Sequence, residues 1–185
     1  MNYKMLQKRI NYDGSQLRSH FVFEAGGILG DGAIGFIGAC DVKPKHMVDV
    51  VDKNAGCKIY SEEMLHFIVE KFGGDLDHMI LHQRIFVSLI ADALRSYLPD
   101  LIIKREGNDL FDGHAKLNIS IATASPVSCL MHIGINISSH NTPVKTKGLN
   151  DYKINPKTFA EKVLKSYKKE VESIAVARSK AKPVT

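Results

Sequence analysis

The chain has 185 residues, 44% apolar and 24% charged, a length and balance that suit one globular domain and exclude a disordered polymer. No apolar run approaches the ~20 residues needed to cross a bilayer, and the first nine residues are charged every few positions where a signal peptide is apolar. The expected location is therefore the cytoplasm. The net charge of +5 is uneven: from Asn141 onward eleven Lys and Arg face four Asp and Glu, a net of +7, leaving the first 140 residues at −2.

In chain order, residues 1–60 read as β structure. Residues 20–24 and 33–42 are strand candidates separated by the glycine-rich turn 26–32, and 47–52 is a further short strand. Two helices are expected next. Ser61 is placed to cap the first, Glu62 and Glu63 suit the positive end of its dipole, and Met64, Leu65, Phe67, Ile68 and Phe72 mark one apolar face before Gly73-Gly74. The second begins near Asp75 or Asp77, carries Met79, Phe86, Val87, Ile90 and Leu94 at steps of three and four, and ends at Pro99. A β section follows, with a strand at 101–105, a turn-broken strand at 107–113, and alternating strands at 115–123 and 127–138. Asn155 and Pro156 open a last helix with the stripe Phe159, Val163, Tyr167, Val171 and Ile174. The fold class is α+β: a mixed, mostly antiparallel sheet with helices packed on one side. A single domain covers 1–178, and 179–185 is a basic flexible tail.

Cys40, Cys57 and Cys129 lie far apart, form no C-x-x-C pair, and read as reduced core thiols. Cys129 and His132 would point to opposite faces of a strand. His66 with Glu70, and His78 with His82, have the four-residue spacing of helical metal ligands, but neither pair has a third ligand nearby in sequence, so no metal site is assigned. Asp49 and Asp52 suit either Mg²⁺ or a solvated strand end. The basic C-terminal third lacks interleaved aromatics and arginine clusters, which favours a solvated lysine-rich helix over a nucleic-acid surface.

The hairpin at 115–138 carries the most chemistry. Lys116, Asn118 and Ser120 share one face of its first strand, opposite Leu117, Ile119 and Ile121. On the second strand Leu130, His132, Gly134 and Asn136 alternate with Cys129, Met131, Ile133, Ile135 and Ile137. A turn centred near Ser125 sets Lys116 near Gly134, so Lys116, Asn118, His132 and Asn136 are expected to converge. A lysine fixed on a strand suits a carboxylate or phosphate, and Gly134 lets a ligand lie against the sheet. The alternative is a polar face that simply meets water.

Arg105-Glu106-Gly107-Asn108-Asp109-Leu110-Phe111, then Lys116-Leu117-Asn118-Ile119-Ser120 and His132-Ile133-Gly134, resemble a signature of the biotin and lipoate protein ligases. The whole chain resembles the domain of unknown function 366 family, through residues 47–49, 64–70, 107–120, 122–128 and 132–136. The resemblance implies a biotin/lipoate-ligase-like fold. It makes Lys116 the grip on the carboxyl and phosphate oxygens of an acyl-adenylate, with His132 orienting the ligand or exchanging a proton; these are the expected catalytic residues. Arg105, Gly107, Asn108, Asp109, Asn118, Gly134 and Asn136 are the expected ligand-binding residues. Gly26 and Gly27 stand in the nearest counterpart of the ligases' arginine- and glycine-rich loop, which holds no arginine here and reads sooner as a plain turn. The implied cofactor is ATP with Mg²⁺. The implied partners are a small carboxylate or nucleotide and an acyl-acceptor protein; no membrane or nucleic-acid partner is expected, and a homo-oligomer is left open. The implied activity is adenylation or acyl transfer. One alternative is a non-catalytic small-molecule-binding or assembly domain of the same fold; another is nucleic-acid binding through the basic C-terminal third.

Overall fold

A computed structural model describes residues 1–184. The first half holds β1 (Asn2–Met5), α1 (Phe21–Gly26), β2 (Gly32–Val42), α2 (Val50–Asn54) and β3 (Ile59–Phe72). Then come α3 (Leu76–Tyr97), β4 (Ile103–Glu106), β5 (Asp109–Asp112), β6 (Ala115–Lys116), β7 (Asn118–Ala124), β8 (Ser128–Asn136) and α4 (Pro156–Lys180). Five strands form one sheet in the order β1-β2-β3-β8-β7, antiparallel except for the β1–β2 pair, and β4-β5-β6 form a small second sheet. The architecture is the mixed, mostly antiparallel α+β arrangement that the pattern of elements implies.

β3 occupies the centre and is buried on both faces. Leu65, Phe67 and Val69 pack with Phe86, Ile90, Phe159 and Tyr167 of the two long helices. Met64 and Ile68 pack on the opposite side with Ile34, Phe36 and Leu130. Each such side chain contributes roughly 1.5–3 kcal/mol on burial. The double burial explains why residues 61–72 form a strand and not the expected helix: a strand covered on both faces reads as a near-continuous apolar run, which also satisfies helical spacing.

α3 and α4 both lie on one face, as expected, and start at side-chain caps, Asp75 accepting from the His78 amide and Asn155 from the Lys157 and Thr158 amides. α1 adds a short helix on the other face, where Phe21 and Val22 join the second apolar cluster. Residues 20–24 are thus helical and not a strand; His20 enters at φ 64 with its amide donating to Glu70 Oε1 at 2.7 Å. The stretch 47–52 is also not a strand: Asp49 caps α2 by accepting from the Val51 and Asp52 amides. α4 runs to Lys180, into the stretch 179–185 expected as a loose tail, whose last residue lies outside the described ones.

One glycine positions the N-terminal segment. A Cβ on Gly38 would lie 1.9 Å from the Ile10 carbonyl oxygen, because residues 10–12 run directly over β2. The Ile10 and Tyr12 amides donate to the Ile37 and Ala39 carbonyls at 3.1 and 2.8 Å. Gly38→Ala is expected to lower stability by about 2 kcal/mol or more. Gly74→Ala, whose Cβ meets nothing within 4 Å, should change it by less than about 1 kcal/mol. Urea unfolding of the two variants beside the parent measures the contrast, and equal midpoints for both would show that the segment does not lie where described.

Candidate functional site

A cavity of about 420 Å³ opens on the face of β7 and β8 turned away from the long helices. Its floor includes Tyr12, Met64, Ile119, Ile121 and His132. Asn108, Asp109 and Lys116 approach from the small sheet, while the β2–β3 connection and residues 142–146 supply the remaining walls. The volume suits one small ligand.

Lys116 is where the signature places it in sequence but not in register. It pairs with Phe111 of β5 and bridges to Thr146, its amide donating to the Lys145 carbonyl at 2.9 Å. Its Nζ lies 2.8 Å from Asp109 Oδ2, both side chains a little over one quarter exposed. The expected pairing with the Gly134 region does not occur: Gly134 faces Ile119, and His132 faces Ile121. Directly paired residues point to the same side, so Ile119 and Ile121, and not Asn118 and Ser120, share the His132 face. The change of face happens at Leu117, whose amide donates to Leu110 while its carbonyl accepts from the Asn136 amide. Leu117 joins the helix-side core, whereas Ile119 packs against the other cluster.

The two asparagines of the signature serve the join between the sheets. Asn118 borders the cavity, as do Lys116, His132 and Asn136, but is fully buried; its Oδ1 accepts from the Leu110 amide at 2.7 Å and its Nδ2 donates to the Asn108 carbonyl at 2.9 Å. Asn108 Nδ2 donates to both oxygens of Ser120 at 3.0 Å, and Gln83 of α3 donates to Ser120 Oγ at 2.8 Å. Asn136 lines the cavity but is 3% exposed. Arg105 is exposed and donates to the Gly107 carbonyl, closing the turn where Gly107 sits at φ 61. Neither lines the cavity, nor does Gly134, whose missing Cβ leaves the space that Met64 Sδ fills. Gly26 and Gly27 lie elsewhere, at the end of α1, where Gly27 at φ 70 returns its amide to Phe23. The connection that covers the cavity is residues 43–58, not the glycine turn.

Beneath the floor lies an imidazole pair that the hairpin reading missed in half. His66 Nε2 meets the Gly38 carbonyl at 3.3 Å, which makes it the donor; His66 Nδ1 therefore accepts, and His132 Nε2 donates to it at 3.0 Å. Tyr12 stacks on His132 with ring centroids 3.7 Å apart and planes 8° apart. Burial drives the His66 pKa from 6.5 down to about 3 and holds His132 well below the ordinary range, with His66 adding to the effect. Both rings stay neutral, so proton exchange by His132 near neutral pH is disfavoured. A histidine inside the apolar run 64–69 was the one available signal for His66. Tyr12 had none, since its place depends on the crossing at Gly38.

The other sequence candidates have structural employment. Glu70 accepts from Ser128 Oγ at 2.7 Å, His78 pairs with Asp75, and His82 meets Tyr167 Oη at 3.1 Å. Cys129 lies on the helix side, opposite His132, and Cys40 is buried; Cys57 is exposed at the cavity wall, contrary to the core position expected for it. Among the described residues no three His, Cys, Asp or Glu side chains gather as a metal-binding set. The ionic lining comprises Asp49, Asp52 and Asp109 against Lys58 and Lys116, with no arginine. That donor set does not fit ATP with Mg²⁺, whose triphosphate calls for a dense positive cradle.

A family model described as Domain of unknown function (DUF366) matches residues 1–182. The uncharacterised protein MJ0805 of Methanocaldococcus jannaschii is 31% identical over 184 residues, covering 94% of this chain and 81% of that protein. A protein of unknown function from Pyrococcus horikoshi superposes with TM-score 0.92 at 34% identity, covering 100% of this chain and 99% of the other. The biotin protein ligase of Aquifex aeolicus, in complex with biotin and ATP, gives TM-score 0.62 at 17% identity over 92% of this chain and 70% of its own. A lipoate-protein ligase A bound with ATP gives 0.60 at 14% over 93% and 86%. The fold is that of the biotin and lipoate protein ligases. No helix among the described residues is long and apolar enough to cross a membrane.

The neutral imidazoles make stability depend on pH. Unfolded, each takes up a proton near pH 6.5; folded, each resists it, so their contribution is complete above pH 6.5 and is lost as pH falls below it, for His66 down to about 3. The loss is up to about 1.4 kcal/mol per pH unit per histidine. His82, brought down to about 4 by burial and then by Lys71, acts in the same direction. Urea midpoints should be level from pH 8 to 7 and fall steeply below 6.5. A profile flat to pH 4.5 would mean that the ring pair is solvated.

Proposed function

The chain belongs to the DUF366 family, and from that premise we propose that its cavity binds an acyl-adenylate or a related small carboxylate derivative, with Lys116 meeting the ligand's negative charge. The observation that carries the reading is the position of Lys116: an ammonium on a short strand, partly exposed, at one end of a cavity whose floor is largely apolar. An acyl chain would lie along Met64, Ile119 and Ile121 while its carboxyl or phosphate oxygens reach Lys116. The Asp109 pair does not obstruct this, because a half-solvated ion pair is worth only about 0–1 kcal/mol and its carboxylate can turn aside. Should the acyl group of such an adenylate pass to an acceptor nucleophile, with AMP as the leaving group, the same ammonium would stabilise the charge growing on the carbonyl and phosphate oxygens.

In this reading Asn108 and Asn118 act at one remove, by holding β5 and β6 against β7 and so fixing Lys116. Asn136 stands at the wall, and His132 orients the ligand as a neutral group. Arg105, Gly107, Gly134, Gly26 and Gly27 take no direct part. A second reading, a domain that holds its ligand without activating it, is favoured by the three lining carboxylates and the lack of arginine. Release of AMP and pyrophosphate from ATP in the presence of a carboxylate separates the two.

Isothermal titration with octanoyl-sulfamoyl-adenosine, octanoate and AMP tests the binding reading. The acyl-sulfamoyl nucleoside is expected to bind, and Lys116→Ala to weaken it about tenfold, with thermal unfolding unchanged to within a few degrees. Absence of heat with all three compounds, or affinity indifferent to Lys116→Ala, defeats it.

A further inference from the structure

The floor of the cavity has a polarity of its own. His132 is 1% exposed and Tyr12 4%, yet His132 Nδ1 and Tyr12 Oη have no hydrogen-bond partner among the described residues. Every fully buried side-chain nitrogen or oxygen does have one. Both atoms therefore keep a small accessible surface, and the space they border is the cavity that both residues line. Proton bookkeeping fixes their roles. The Gly38 carbonyl can only accept, so His66 Nε2 carries the proton, His66 Nδ1 is a lone pair, and His132 must spend its one proton on Nε2. His132 Nδ1 is left as a pure acceptor aimed at the ligand space. The stacked Tyr12 ring holds that edge in place.

We infer that this floor recognises a ligand tail ending in a hydrogen-bond donor, such as a carboxamide N–H or a hydroxyl, and holds a plain alkyl tail, like that of the octanoyl compound, measurably but more weakly. The inference rests on the reading of Lys116 as the charged end of the same site, and it adds the chemistry of the other end. A tail without a donor leaves the buried acceptor desolvated and unpaired, which a site built for a donor rejects more strongly than it would reject a missing methylene. Tyr12 Oη, able to give or take a proton, can meet a carbonyl beside the donor. The spacing suits an elongated ligand. Ile121, the partner of His132, is five residues from Lys116, at most roughly 17 Å of chain, less the bend at Leu117 and the reach of the lysine.

An isosteric pair tests this without altering the protein. The monoamide of octanedioic acid and 8-oxononanoate have the same length and carboxylate, and differ only in NH₂ against CH₃ at the tail. The amide is expected to bind at least about tenfold more tightly by titration calorimetry. His132→Phe should abolish that preference and Tyr12→Phe reduce it, while Lys116→Ala weakens both compounds alike. The ¹⁵N resonance of unprotonated His132 Nδ1 should move on addition of the amide and not of the ketone. Equal affinity of the two compounds overturns the inference and leaves the Lys116 reading intact. Silence from both while octanoyl-sulfamoyl-adenosine binds also overturns the inference, and silence from all three overturns the Lys116 reading with it.

Discussion

The unbroken register of β3 against β8, from Met64 opposite Asn136 to Phe72 opposite Ser128, is the constraint on which the molecule rests. In an antiparallel pair the facing residues point to the same side, so this register assigns Leu65, Phe67, Val69, Met131, Ile133 and Ile135 to the helices. The same register turns Met64, His66, Leu130 and His132 to the other face. A slip of β3 by one residue would drive His66 and Glu70 into the contact with α3 and α4 and turn Leu65, Phe67 and Val69 away from it. The imidazole pair is thus a consequence of strand pairing: His66 faces Gly134 on β8 and reaches diagonally to His132, two residues along the same face.

The cavity is assembled from parts that meet only in the fold. The large sheet provides a mostly apolar floor, the small sheet an ammonium and a carboxylate, and the β2–β3 connection a wall. The join between the sheets is made by the Asn118 amide, buried and bonded at both Oδ1 and Nδ2 to the backbone, and by Asn108 Nδ2 on Ser120. Such satisfied buried polar groups contribute little net stability but penalise any other arrangement, since each left unpaired costs about 1–3 kcal/mol. They are well suited to fixing where Lys116 lies.

The likeness to biotin and lipoate protein ligases establishes the fold, and at 17% and 14% identity it establishes no more than that. The cavity of this chain is walled by more carboxylates than ammoniums, above a neutral imidazole and a phenol, and that balance of charge is set by side chains and not by the fold. The fold supplies a concave sheet face; the side chains on it decide what is held there.

Read from the chain alone, the α+β class, the long helices with their Asp75 and Asn155 caps and the hairpin of β7 and β8 were accessible, because caps, turns and period are local properties. The family resemblance was accessible for the same reason, carried by contiguous residues. The central strand was misread because burial on both faces erases alternation, and whether a segment is covered twice is not a local fact. The faces of Asn118 and Ser120 were inverted because the switch at Leu117 depends on its pairing with Leu110 on one side and Asn136 on the other. Tyr12, His66 and the direction of the free lone pair on His132 came only from tertiary structure. They are set by Gly38 admitting a crossing segment and by a chain of donors and acceptors ending at its carbonyl, contacts between residues tens of positions apart that no spacing along the sequence encodes.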